Sequence, residues 1–402
     1  MSKKEFSLIF DAKELRDAVN IVDKAVDFRS RIPILRNLLF QFDEDEVTIS
    51  ATDQKIWISL QMEILVDSGI SFDVTVPQKI FQNVLKGKKG DIDFSVLQDS
   101  DGCLEIKIGD ISIQGIDAED FPPVPQSDKD NKDFKKMNFA ISKKILKTVI
   151  DKTILATNVN DPRMWTNGVY FTGDSFTATC GNILFSLITE NHSIPKGFDL
   201  LVPVRTLQLI SGIIGKKKSD LEGDAIVILH TNMSVMFFLD HTQFGNVKLI
   251  SRSLSTRYPN WNKKSVNPDY RKNNSWYVTF SCEELRQVLK NALPFSETTH
   301  KYDNKITLTI EANKKIATIT ADETDAGKFK KSIEVEVEGE IADHAKSNPF
   351  IINFNAQSML DILKLPEEVT EIDLRIRSAT DVIKVVTSYE GIAEETCLLA
   401  VI

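Results

Sequence analysis

The chain is predicted to be an α+β protein made of three repeated copies, each with two helices packed on antiparallel strands. Two observations predict this. The first is a strand-to-helix passage that occurs three times: SLIFDAKELRDAV, NFAISKKILKTVI and VTFSCEELRQVL. The second is another such passage further along each copy: VTVPQKIFQNVL, LLVPVRTLQLI and INFNAQSMLDIL. Between the passages lies a further match, TISATD, FTATCG and TITADE, which puts Ala51, Ala178 and Ala321 in register. From the first strand end to this alanine the spacing is 41, 37 and 41 residues, and to the second strand end 66, 61 and 74. Three matches in one order and at similar spacing mark a repeated fold rather than coincidence.

Each element has its own reason. Phe10, Ile141 and Phe280 end a strand, and Asp11, Ser142 and Ser281 follow at once. Those side-chain oxygens suit a helix N-cap, where they take up a backbone N–H that has no partner in the helix. Leu15, Leu146 and Leu285 stand five residues after the strand end, with apolar residues again three and four places later: Ala18 and Val19, Val149 and Ile150, Val288 and Leu289. That is one buried helical face, read three times. In the second passage Val76, Val202 and Phe354 close the strand and Phe81, Leu207 and Met359 stand five places on. Pro77 and Pro203 fall near the first helical turn, where a missing N–H does little harm. Alternating runs such as DIDFSVLQ, KITLTIEANKKIATIT and EIDLRIRS read as strands with one buried face. Polar, turn-rich stretches (PPVPQSDKDNKD and NKKSVNPDYRKNNS) separate copies at 1–126, 134–261 and 264–402.

Composition sets the outer limits. A chain of 402 residues exceeds a single core, and 42% hydrophobic with 27% charged residues excludes disordered and fibrous classes. No apolar run approaches the 18 residues of a spanning helix, and the N-terminus lacks a secretory pattern. Four cysteines without a CxxC spacing point to a reduced, cytoplasmic setting without structural zinc. The net charge is −9, yet three helical segments are basic. Residues 77–89, 142–157 and 203–218 together hold 12 basic side chains against one acidic. In an acidic protein this favours a surface that faces a polyanion over an ordinary solvated helix face.

No catalytic constellation is legible. Gly212 and Gly215 in SGIIGKKKS are too close for a P-loop, and GxSxG, HExxH and GxGxxG are missing. Five scattered histidines have no ligand spacing, so neither metal nor cofactor is expected.

The repeat, the basic helices and the lack of a catalytic site resemble the bacterial sliding clamp family, the beta subunit of DNA polymerase III. The pieces that carry the resemblance are IPILRNLL, ATDQ, DAEDFPPVP, NDPRMWTNGVYF, FTATCGNILFSL, LLVPVRTLQLI and SLSTRYPNW, in order along nearly the whole chain. The resemblance implies a six-domain ring of two protomers, with helices lining the hole. Such a ring slides on double-stranded DNA because inner Lys and Arg meet phosphates without reading bases. It implies DNA contacts at Arg29, Lys79, Asn160, Met164, Trp165 and Arg205, with Arg163 as a further phosphate contact. It implies a homodimer that closes through Ile111 against Pro294 and Phe295. It further implies a pocket for a short peptide motif of the replicative polymerase catalytic subunit, the clamp loader, other polymerases and repair proteins. That pocket maps to Thr166, Thr179, Gly181, Asn182, Ile183, Leu184, Pro259, Lys263, Lys264, Ala356, Leu398, Leu399 and Ala400. TCGNIL stands for the family's TDGHRL and LLAVI for a proline-containing tail, so the pocket is expected to be more apolar and to prefer a different motif. The competing readings are a clamp-fold scaffold without ring closure or DNA loading, and an enzyme with an unfamiliar site.

Overall fold

The computed structural model describes residues 4–43, 45–65, 71–98, 104–124, 137–173, 175–190, 194–215, 217–231, 233–241, 243–263, 267, 270, 275–296, 304–324, 327–339 and 349–402. One order of elements recurs three times: strand, helix, four strands, helix, three strands. The first run is β1 (Lys4–Asp11), α1 (Ala12–Val22), β2 (Asn37–Asp43), β3 (Glu46–Thr52), β4 (Ile56–Glu63), β5 (Phe72–Pro77), α2 (Gln78–Leu85), β6 (Asp91–Gln98), β7 (Leu104–Ile108) and β8 (Ile111–Gln114). The second is β9 (Asn138–Ser142), α3 (Lys143–Thr153), β10 (Gly168–Thr172), β11 (Ser175–Thr179), β12 (Ile183–Thr189), β13 (Asp199–Pro203), α4 (Val204–Ile214), β14 (Asp224–Thr231), β15 (Ser234–His241) and β16 (Gly245–Arg252). The third is β17 (Trp276–Ser281), α5 (Cys282–Ala292), β18 (Lys305–Glu311), β19 (Ile316–Thr324) and β20 (Gly327–Glu334), with a short extra β21 (Glu336–Glu338). It ends in β22 (Phe350–Asn355), α6 (Ala356–Ile362), β23 (Glu371–Ile376), β24 (Ile383–Tyr389) and β25 (Ile392–Leu399).

The cap residues act as their chemistry requires. Asp11 Oδ1 accepts the Glu14 N–H at 2.8 Å, Ser142 Oγ accepts from Ile145 at 3.2 Å, and Ser281 Oγ accepts from Glu284 at 3.5 Å. Each such cap stabilises its helix by about 1 kcal/mol. Leu15, Leu146 and Leu285 are buried, as are Phe81, Leu207 and Met359 of the second passage, each worth about 1.5–3 kcal/mol of burial. Pro77 takes the cap position itself rather than the first helical turn.

The chain divides into two compact units, Met1–Lys147 with Arg205–Ser253, and Thr148–Val204 with Leu254–Ile402. Both borders cut the middle copy, and strand pairing between copies is the reason. In the first unit an eight-stranded sheet runs β5-β2-β3-β4-β16-β15-β14-β9, so β4 of the first copy pairs with β16 of the second. A four-stranded sheet, β1-β6-β7-β8, accompanies it. In the second unit a nine-stranded sheet runs β13-β10-β11-β12-β25-β24-β23-β17-β21, so β12 of the second copy pairs with β25 of the third. Its companion sheet is β20-β19-β18-β22. All named pairs are antiparallel, as the alternation in the sequence predicts. Among the described residues no helix is long and apolar enough to cross a membrane.

Candidate functional site

The β12–β25 junction gathers most residues of the expected peptide pocket. Thr179 Oγ1 donates to the Ile183 carbonyl at 2.8 Å and accepts the Gly181 N–H at 3.1 Å, which folds TCGN into a tight turn. Gly181 has φ +98°, and a Cβ there would stand 3.2 Å from Arg163 Nη1, so glycine suits the position twice over. Beyond the turn Ile183 pairs with Leu399 and Leu184 with Leu398. The Ala400 N–H then donates to the Asn182 carbonyl at 2.8 Å, Val401 bridges to Phe354, and the Ile402 N–H donates to Asn353 at 2.9 Å.

This pairing seals the tail into the sheet. Ile183, Leu184, Leu398 and Leu399 are at most 4% exposed, and Thr166 and Ala356 are fully buried. Thr166 Oγ1 lies within hydrogen-bond reach of the Asn158 and Arg163 carbonyls. The accessible part of the junction comes from Gly181, Asn182 and Lys263, with partial exposure of Pro259 and Ala400. Lys264 lies outside the described residues.

Arg163 is already engaged. Its Nε and Nη2 grip Asp161 at 2.8 and 2.7 Å, Nη2 also reaches the Cys180 carbonyl at 3.0 Å, and the guanidinium lies 4.8 Å from the Trp165 ring centre. The hydrogen bonds from Arg163 pull the Asp161 carboxyl down from its ordinary 3.8 to about 2. Trp165 also turns an edge toward Tyr258, with ring centres 6.5 Å apart. Arg163 thus covers Trp165, and a base could stack on that face only by displacing it. Met164 and Asn160 are exposed beside them.

Of the other expected phosphate contacts, Arg29 and Lys79 are exposed, the latter on α2. Arg205 is half-exposed and ion-paired with Asp53 at 2.6 Å. Asp53 also accepts the N–H groups of Lys55 and Ile56, so it organises the ATDQ turn while holding Arg205. Two lysines of the basic segments do not face outward at all. Lys143 is buried and donates to the Asp240 carbonyl at 2.6 Å, and Lys152 is buried against Glu395 at 3.2 Å. Position explains this: both fall on the inward stripe of α3, where α1 carries Ala12 and Ile21. A count of charges along a segment misses it. Lys216 lies outside the described residues.

Sequence reasoning also passed over Glu395. Fully buried, it meets Lys152, the Tyr389 hydroxyl and, at 3.3 Å, Cys397 Sγ. Burial first, then the neighbouring Glu395 charge, raises both Tyr389 and Cys397 far above their usual values, so both remain protonated donors. At the expected ring contacts, Ile111 begins the sheet-edge strand β8 at 39% exposure. Pro294 is exposed, and Phe295 lies 6.0 Å from Phe329 on β20, an edge strand of its own sheet.

Residues 6–125 match the family model described as "DNA polymerase III beta subunit, N-terminal domain". A "Beta sliding clamp" of Synechococcus elongatus is 24% identical over 381 residues, 93% of each chain. The DNA polymerase III beta subunit of Pseudomonas aeruginosa superposes with TM-score 0.79 at 17% identity, covering 99% of this chain and all of the other. The beta subunit of Caulobacter crescentus gives 0.77 at 20% identity, covering 99% and 100%. The fold is thus that of a sliding clamp, three α+β repeats in one chain. Residues 6–125 thus match the DNA polymerase III beta-subunit N-terminal domain, and the chain is similar to beta sliding clamps along 93% of its length.

Proposed function

We propose that two copies of this chain close head to tail into a ring around duplex DNA, each with clamp domains at 1–126, 134–261 and 264–402. The observation that carries the reading is the likeness to a beta sliding clamp over 93% of the chain. Two edge strands favour closure: β8, with Ile111 exposed, and β20, with exposed Lys328, Lys330 and Lys331 beside Phe329. An unpaired edge is a template for another chain, and two copies complete the rotation. Arg29, Lys79 and Arg205 supply phosphate contacts without base readout, Asn160 adds a neutral one through its amide N–H, and Met164 an apolar contact. Arg163 and Trp165 hold each other in place beside them. Polymerase, clamp loader and repair proteins dock a short peptide at the β12–β25 junction, on Gly181, Asn182, Pro259, Lys263 and Ala400. Leu184 and Leu398 form the apolar floor beneath them.

Association with nicked circular DNA across a salt series tests this. Lys79→Ala with Arg205→Ala should lower the salt slope by about two counterions per protomer. An unchanged slope, or a chain that stays monomeric near 45.3 kDa at all concentrations, would leave only a clamp-fold scaffold.

A further inference from the structure

The β12–β25 junction is built a second time, between β4 and β16. Thr52 Oγ1 donates to the Ile56 carbonyl and accepts the Gln54 N–H, both at 2.8 Å, as Thr179 does with Ile183 and Gly181. Gln54 takes φ +69° where Gly181 takes +98°. Ile250 lies opposite Trp57 where Leu398 lies opposite Leu184. The Arg252 N–H donates to Lys55 at 2.9 Å where Ala400 donates to Asn182 at 2.8 Å. Phe121-Pro122 closes the first copy as Tyr258-Pro259 closes the second.

At this first junction the side chains leave room. A cavity of 190 Å³ opens between two apolar clusters, one around Leu39 and Phe121, the other around Trp57 and Ile250. Val124, 44% exposed, is part of its wall. The Trp57 indole N–H is buried and has no acceptor, although buried donors are almost always paired. An apolar cavity of about 150 Å³ already holds a benzene-sized group, so this one suits a single leucyl or aromatic side chain. Lys248 and Asp73 both line it, with Gln41, Ser50 and Ser59, and the exposed Arg252 guanidinium lies 5.7 Å from the Trp57 ring centre.

We infer that the β4–β16 junction is a second docking site for an extended peptide, which seats one bulky apolar side chain in the cavity. An acidic neighbour in the peptide meets Arg252 over the Trp57 ring, and a backbone carbonyl meets the Trp57 indole. The class of ligand rests on the peptide reading of the β12–β25 junction, whereas the place rests on this cavity alone.

The test uses the full chain labelled with 5-fluorotryptophan, whose four indoles give separate fluorine lines. Trp57→Phe assigns one line, and Trp165, beside Tyr258, reports the other junction. Titration with acetyl-Asp-Leu-Phe-Gly-amide should move the Trp57 line, and Val124→Asp should weaken that response about tenfold or more by placing a charge in the apolar wall. Ala118→Phe, which fills the cavity from the Phe121 cluster, should abolish it while the Trp165 response stays. Movement of Trp57 alone would support this site and remove the one at β12–β25. Movement of Trp165 alone would overturn this site and leave the other standing. No movement of either line, or a Trp57 response unaltered by both variants, overturns the proposal.

Discussion

The β4–β16 and β12–β25 junctions share a backbone and differ in nearly every side chain that touches it. Asp53 and Arg205 form an ion pair at the first, whereas the second has Cys180 and Gln357 at the matching places. Buried Ile21 and Val247 occupy positions of α1 and β16 that in α3 and β25 hold the buried pair Lys152 and Glu395. The turn is led by Gln54 in one and Gly181 in the other. The threonine-to-backbone bonds and the ladder register persist through all of this. A junction held by main-chain bonds leaves its side chains free to diverge, so one scaffold can carry Leu184 and Leu398 at one place and Trp57 and Ile250 beside a cavity at another.

The largest expected effect tests the buried pair against its apolar counterpart. Lys152→Met leaves Glu395 buried without its cation and should cost about 3–5 kcal/mol in denaturant unfolding. Lys152→Ile with Glu395→Val rebuilds the first junction's solution and should recover most of that loss. No recovery would mean that Tyr389 and Cys397 depend on the carboxylate as much as Lys152 does.

A smaller effect separates the two turns. Gly181→Ala places a Cβ against Arg163 at a left-handed φ and should destabilise by about 1–2 kcal/mol. Gln54→Gly relieves the same strain and should be neutral or stabilising by less than about 1 kcal/mol. Thermal melts of both variants would blunt the comparison if they moved in the same direction.

The smallest concerns Asp161, whose carboxyl is held at about 2 by Arg163. Because this folded value lies below the ordinary 3.8, its contribution is fully present above 3.8 and is lost as pH falls through about 2. Carboxyl NMR should show Asp161 still ionised at pH 3, and Arg163→Ala should return its midpoint to the ordinary range. An unmoved midpoint would mean that another group holds the charge.

Legibility in the sequence followed periodicity. Leu15, Leu146 and Leu285 could be assigned to a buried face because helical spacing alone decides which side they share, and the caps Asp11, Ser142 and Ser281 announced themselves by position. A tally of residue types places Lys143 and Lys152 on the surface because it ignores which stripe each occupies. Glu395 gave no signal, since its partners Lys152 and Tyr389 lie on separate elements.

By itself, then, the sequence determined the threefold order of strands and helices, their inward faces, and the likeness to sliding clamps. Those properties rest on local spacing and on recurring words. Tertiary structure alone decided that Leu184 meets Leu398 and Trp57 meets Ile250, that Arg163 and Arg205 are held by Asp161 and Asp53, and that a cavity opens at the β4–β16 junction. Each of those depends on which distant strand pairs with which, and no local pattern encodes that choice.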